Sequence, residues 1–283
     1  MSSNIISIRG GDYPFTRHID GVYRGLEMRY EACGAEEAFA TILENRSFEV
    51  CEFSLANFGM LSDRGDKRFY AIPVFANRAY RHGVVWTREG STLEDFRDLL
   101  GKRVAVKEYS QTAAVWFRGL LLEEYGVDWR DINWFSNPMQ RFLAPTEARV
   151  NFIEGDLEAL VLEGKLDAYV STRVSKPSLR PILREHRNAA SLYGHKTGIF
   201  PINHTVLIAR ELIERYPQVA YAVFDAYRHS RRLSESVDVF GFTEVNRKNV
   251  ETVFRYLQEQ KLTRNLQKVD DLFLLKDATD DQP

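Results

Sequence analysis

Short apolar runs alternate along this chain with longer stretches of helical period. IISIRG (5–10), FEVCEFSL (48–55), AIPVF (71–75), VVW (84–86), RVAV (103–106), DAYV (167–170) and the run inside GIFPINHTVLIAR (198–210) read as strands. GAEEAFATILEN (34–45) reads as an amphipathic helix, and LANFGMLSDRG (55–65) as a helix closed by Gly65. STLEDFRDLLG (91–101) opens with Ser91 and Glu94 at capping-box spacing and predicts a helix ending near Gly101. SQTAAVWFRGLLLEEYG (110–126) predicts another, with Ser110 or Thr112 as its cap and Gly126 at its end. Pro217 breaks the long helical stretch 211–233 near its start, and EVNRKNVETVFRYLQEQKL (244–262) supplies a last long helix.

This alternation predicts an α/β protein with largely parallel sheets. Two segments, near 76–86 and 194–206, read as crossings between lobes. The expected division is lobe I from 1–82 and 200–283, with lobe II, 83–199, inserted, and a ligand cleft between the lobes. A length of 283 residues suits two lobes, since single cores stop growing near that size. A net charge of −2 gives no nucleic-acid footprint. Cys33 and Cys51 are too far apart in sequence for a CxxC site and read as reduced, buried thiols. The first residues lack a basic, apolar leader pattern, and no run approaches the ~20 apolar residues of a membrane span. The expectation is a cytoplasmic protein without a membrane or nucleic-acid partner, compatible with a homo-oligomer. The acidic tail KDATDDQP (276–283) is expected to be disordered.

Ligands of open α/β sheets meet the carboxyl ends of strands. Those ends carry Asp12, Tyr13, Thr16 and Arg17; Ser54; Asn77, Arg78, Arg81 and His82; Lys107 to Thr112; and Ser171, Thr172 and Arg173. His204 sits inside the last strand. Cations, hydroxyls and histidines thus outnumber acids, which points to a small anionic ligand. Arginine forks suit carboxylates. The helix start at Ser110, Gln111 and Thr112 reads either as an anion seat or as plain capping. No metal-ligand spacing, GxGxxG, GxxxxGK[ST] or GxSxG pattern occurs.

DYPFTRHIDG, FEVCEFSLANF, AIPVFANRAYRHG, GKRVAVKEYSQTAAVWFRGLLLEEYGV and KTGIFPINHTVLI, taken in order, resemble successive motifs of the 4,5-dihydroxyphthalate decarboxylases. The resemblance runs from about residue 8 to 265. It implies a type 2 periplasmic-binding-protein-like fold and a reaction, loss of CO2 from a hydroxylated aromatic acid. Under that reading His82 and His204 are the expected acid and base, and Glu108 an orienter or alternate acid. Arg17, Ser54, Arg78, Arg81, Ser110, Gln111, Thr112 and Arg173 are the expected substrate contacts. The residues demand no metal or organic cofactor, and a divalent ion on a catechol is compatible with them. The alternative is a solute-binding protein, cytoplasmic or periplasmic, that holds an anionic aromatic ligand without chemistry.

Overall fold

The computed structural model describes residues 4–44, 48–236 and 240–278. The chain falls into two compact units. The first comprises Met1–Arg78, Ile202–Thr252 and Gln267–Pro283, the second Ala79–Pro201 and Val253–Leu266.

The first unit begins with β1 (Ile5–Gly10), β2 (Gly21–Tyr23), β3 (Leu26–Ala32), helix α1 (Ala35–Leu43), β4 (Val50–Ser54), α2 (Leu55–Asp63) and β5 (Phe69–Arg78). The second adds β6 (Val85–Arg88), β7 (Arg103–Val106), α3 (Thr112–Tyr125), β8 (Asn133–Ser136), β9 (Asn151–Phe152), α4 (Leu157–Leu162), β10 (Ala168–Val170), β11 (Leu179–Pro181) and α5 (His186–Thr197). The chain then returns through β12 (Ile202–Ala209), α6 (Arg210–Arg215), α7 (Val219–Leu233), α8 (Glu244–Glu259) and α9 (Val269–Leu272).

Each unit has one six-stranded sheet, ordered β2-β3-β1-β4-β12-β5 in the first and β11-β6-β10-β7-β8-β9 in the second. The sheets are mixed, not largely parallel as expected. β1 runs parallel to β3 and β4, but β12 enters antiparallel between β4 and β5. In the second sheet β7 has parallel neighbours, whereas β6 opposes β10 and β11. The reason is the return of the chain, because β12 reaches the first sheet from the opposite end to its neighbours. Ile6, Ile8, Met28, Val50, Val206 and Ile208 of the first sheet are buried with Val219, Val223, Phe224 and Tyr227 of α7. Pro217 falls in the gap between α6 and α7, where its missing N–H does no harm.

Three local expectations are corrected. Residues 91–101 form no full helix, only a 3-10 turn at Phe96–Leu99. Asp95 caps that turn in a reciprocal box with Asp98, while the Ser91 hydroxyl accepts from Leu93 N–H at 3.2 Å. Neither Ser110 nor Thr112 is the cap of α3; Gln111 holds that position without a side-chain bond, and Gly126 ends the helix at φ 67. The acidic tail is bonded as far as Ala278, whose carbonyl accepts from Phe242 N–H at 3.0 Å, and residues 279–283 lie outside the described residues.

The division between units also differs from the expected one. It falls after Arg78, which puts Arg81 and His82 in the second unit, and residues 253–266 join that unit too. Packing explains the second difference. A Cβ at Gly119 of α3 would lie 2.2 Å from the Tyr256 ring, so glycine there admits Tyr256. Tyr256 meets Trp116 edge-on at 5.5 Å, and Arg255 pairs with Glu123 at 2.7 Å.

Candidate active site

β4 is buried at every position, yet its centre carries an acid, Glu52. A carboxylate there is tolerable only if its oxygens are matched. Oε2 accepts from the Gly11 N–H at 2.7 Å. Oε1 accepts from the Tyr13 hydroxyl at 2.8 Å and faces His204 Nδ1 at 2.5 Å. Burial alone would push this carboxyl up. The hydrogen bond and charge of His204, then the Gly11 and Tyr13 donors, outweigh it and hold Glu52 below the ordinary carboxylate range.

The turn after β1 is shaped for that carboxylate. A Cβ on Gly10 would sit 2.7 Å from Tyr30 Oη and 3.0 Å from Glu52 Oε2. Tyr30 in turn donates to the Gly11 carbonyl at 2.7 Å, and Thr16 Oγ1 accepts from Tyr13 N–H at 3.0 Å. In RGGDY Gly10 therefore leaves room for Glu52, and Gly11, where a Cβ would lie 2.6 Å from the Tyr13 ring, leaves room for Tyr13.

His204 is presented by an irregular stretch of β12. Its register against β5 shifts on both sides of His204, while against β4 it lies opposite Ser54. Bulges of this kind re-aim side chains. Glu52 lies opposite Val206, so the acid and the imidazole form a diagonal cross-strand pair. Phe39 packs edge-on to the imidazole at 5.0 Å. With Nδ1 on Glu52, no hydrogen bond engages Nε2 among the described residues. This is the arrangement of an oriented acid–base histidine.

The other expected residues of the first unit are engaged elsewhere. Ser54 caps α2, accepting from Asn57 N–H at 3.3 Å. Arg78 Nη2 donates to Asn246 Oδ1 at 2.7 Å and its guanidinium lies over the Phe75 ring. Arg17 is largely exposed and pairs with Asp12 at 3.2 Å.

In the second unit Arg81 is 5% exposed, and no acid or acceptor pairs with it among the described residues. Desolvation pushes it down to about 10, which leaves it charged at neutral pH. His82 beside it is buried among rings, 5.4 Å from Tyr193 and 6.4 Å from Tyr80. Burial pushes it down to about 4, with His186 adding to the effect and Glu124 opposing it. Such surroundings suit a neutral imidazole, not a proton carrier near pH 7.

Glu108 does not orient a histidine. Its Oε1 accepts from Ser110 Oγ at 2.6 Å and its Oε2 lies 3.5 Å from Arg141 Nε. A carboxylate of the protein thus already stands beside the helix start expected to seat an anion. Thr112 is buried as the first residue of α3, and Gln111 and Arg173 are exposed. Among the described residues no group of three or more His, Cys, Asp or Glu side chains gathers for a metal ion.

Sequence reasoning thus found His204 but missed Glu52 as its partner and Tyr13 as a donor to Glu52. The available signal was the acid itself, alone inside the apolar run VCEFS.

No family model matches the chain. Over 253 residues it is 30% identical to a 4,5-dihydroxyphthalate decarboxylase of Comamonas testosteroni, covering 83% of this chain and 77% of that protein. The chain belongs to the 4,5-dihydroxyphthalate decarboxylase family. A member from Pseudomonas putida is 29% identical over 210 residues, covering 68% of this chain and 81% of that protein. Among solved structures, the alkanesulfonate-binding protein of Xanthomonas axonopodis pv. citri bound to MOPS superposes with a TM-score of 0.54. It is 13% identical and covers 96% of this chain and 98% of that one. The ligand-binding component of an ABC-type import system from Staphylococcus aureus gives 0.53 at 12% identity, covering 95% and 96%. The family's fold here is accordingly that of the periplasmic solute-binding proteins, two α/β units with mixed sheets.

Proposed function

We propose that the chain removes CO2 from a hydroxylated aromatic carboxylic acid, with 4,5-dihydroxyphthalate the first substrate to test. Similarity to the named decarboxylases supports the reaction, and the Glu52–His204 pair is the observation that carries it. A carboxylate leaves an aromatic ring when the ring can hold the electrons of the breaking bond. Loss of the proton from a hydroxyl para to it pushes density onto the carbon that bears the carboxylate. A proton adds to that carbon, the bond to the carboxylate breaks, and CO2 departs as aromaticity returns. Overall, one proton replaces one CO2.

His204 suits the proton steps. Glu52 accepts from Nδ1–H, which fixes the tautomer and leaves Nε2 to take the phenol proton or deliver one to carbon. Arg81, charged and unmatched within its unit, is assigned to a substrate carboxylate. Glu108, held by Ser110 and Arg141, is assigned as the second acid–base group in place of His82.

The similarity in fold to a sulfonate-binding protein favours a second reading, binding of an anion without chemistry. The test is incubation of the purified chain with 4,5-dihydroxyphthalate and a panel of hydroxybenzoates, with and without added divalent metal, following CO2. The expected result is CO2 release with 4,5-dihydroxyphthalate or a close hydroxylated analogue. Thermal stabilisation by these acids with no CO2 under either condition would transfer support to the binding reading.

A further inference from the structure

Tyr109 lies between Glu108 and Ser110 and is held at its backbone and its ring, while its buried hydroxyl has no partner among the described residues. Its N–H donates to Gln140 Oε1 at 2.9 Å, and its carbonyl accepts from Arg118 Nη2 at 2.8 Å. Its ring lies under the Arg118 guanidinium at 3.8 Å and meets Trp134 edge-on at 5.7 Å. Gln140 Nε2 also donates to the Lys107 carbonyl at 3.1 Å, so one amide grips the backbone on both sides of Glu108. The next residue, Arg141, is the one that faces the Glu108 carboxylate.

Arg118 itself is fully buried, and no carboxylate pairs with it among the described residues. Its Nε donates to Gln260 Oε1 at 2.8 Å, Gln260 Nε2 donates to the Val115 carbonyl at 2.9 Å, and Nη1 has no partner among the described residues. A buried guanidinium without an anion is unfavourable. A neutral amide would serve if the fold needed only a donor at the Tyr109 carbonyl. The planar fork reaches Tyr109 and Gln260 together while stacking on the ring, which a lysine cannot reproduce.

We infer that Gln140 and Arg118 are positioning residues that set the geometry of the Glu108–Ser110 pair through Tyr109. This rests on the assignment of Glu108 in the proposed reaction. Small displacements of a reacting group cost up to about 100-fold in rate. Gln140→Ala is therefore expected to lower kcat by about 10- to 100-fold with little change in KM. Gln140→Glu, which keeps the acceptor for Tyr109 N–H, is expected to recover part of the loss. In the Glu108→Gln background Gln140→Ala is expected to add nothing further. Arg118→Lys is expected to resemble Gln140→Ala if it folds.

Amide exchange at Tyr109 reads the clamp without any substrate and is expected to quicken at least tenfold in Gln140→Ala. Unchanged exchange, or a Gln140→Ala loss that multiplies with that of Glu108→Gln, overturns the inference alone. Normal turnover by Glu108→Gln removes the assignment of Glu108 and the inference with it. Absence of CO2 from the wild type, with exchange quickened as expected, leaves the clamp standing and defeats only the decarboxylase reading.

Discussion

The first unit buries an acid together with its base, whereas the second buries two arginines, Arg81 and Arg118, that pair with no carboxylate among the described residues. Glu52 meets Gly11, Tyr13 and His204, so its desolvation is offset locally. Arg81 and Arg118 are as deeply buried, and neither pairs with a carboxylate of the described residues. The two histidines follow suit. His204 has a carboxylate on Nδ1, whereas His82 is packed against rings and its Nδ1 has no hydrogen-bond partner among the described residues. In the proposed reaction the matched pair serves as the proton relay. Of the two unmatched cations, Arg81 is the one an incoming anion would relieve, while Arg118 already donates to the Tyr109 carbonyl and Gln260.

The largest expected effect comes from breaking the matched pair. Glu52→Gln keeps the shape but leaves His204 without its carboxylate, and CO2 release should fall by about 100- to 10,000-fold. Near-normal turnover in that variant would remove the relay from the first unit. Next, Arg81→Met should raise stability to urea by about 1–4 kcal/mol, because it removes an unpaired buried charge. The same variant should weaken binding of an aromatic carboxylate by about 10- to 100-fold, corresponding to a lost charge-assisted bond. A fall in stability would show that Arg81 is matched after all.

A smaller effect is expected in the pH dependence of unfolding. Folded His82 sits near 4 against 6.5 when unfolded, so the unfolded chain binds more protons between those values. The stability tied to neutral His82 is complete above about 6.5 and is lost as pH falls toward 4, at no more than about 1.4 kcal/mol per pH unit. Glu52, lowered in the folded state, loses its contribution at lower pH still, as it protonates. Urea midpoints of His82→Phe should therefore lose slope only in the upper window. The smallest effect belongs to Ser54→Ala. Loss of the α2 cap should cost about 1 kcal/mol, and an unchanged KM would assign Ser54 to structure alone.

The strands and most helices are legible because period and punctuation are local properties. RVAV, the run around His204 and the stop at Gly126 need no knowledge of the rest of the chain. The Glu52–His204 contact joins residues 152 positions apart, and nothing in either neighbourhood announces the other. The helix expected from Ser91 failed for a local reason, since Asp95 and Asp98 offer a competing box four residues later. The allegiance of residues 253–266 was hidden because it rests on Gly119 making room for Tyr256 and on Gln260 meeting Arg118. His82 was overrated because composition shows an imidazole but not the rings around it.

The place of β12 in the first sheet has a consequence for synthesis. It is an interior strand, bonded on one side to β4 and on the other to β5, yet the 123 residues Ala79–Pro201 are made between β5 and β12. At about 5–20 residues per second, the ribosome takes roughly 6–25 s to cover that distance. During that interval β4 and β5 each lack a neighbour, and both are rich in buried apolar residues. An unpaired apolar strand edge is an aggregation template. The nascent chain should therefore be most sensitive to chaperone depletion, and to synonymous changes that slow translation, while the second unit is emerging.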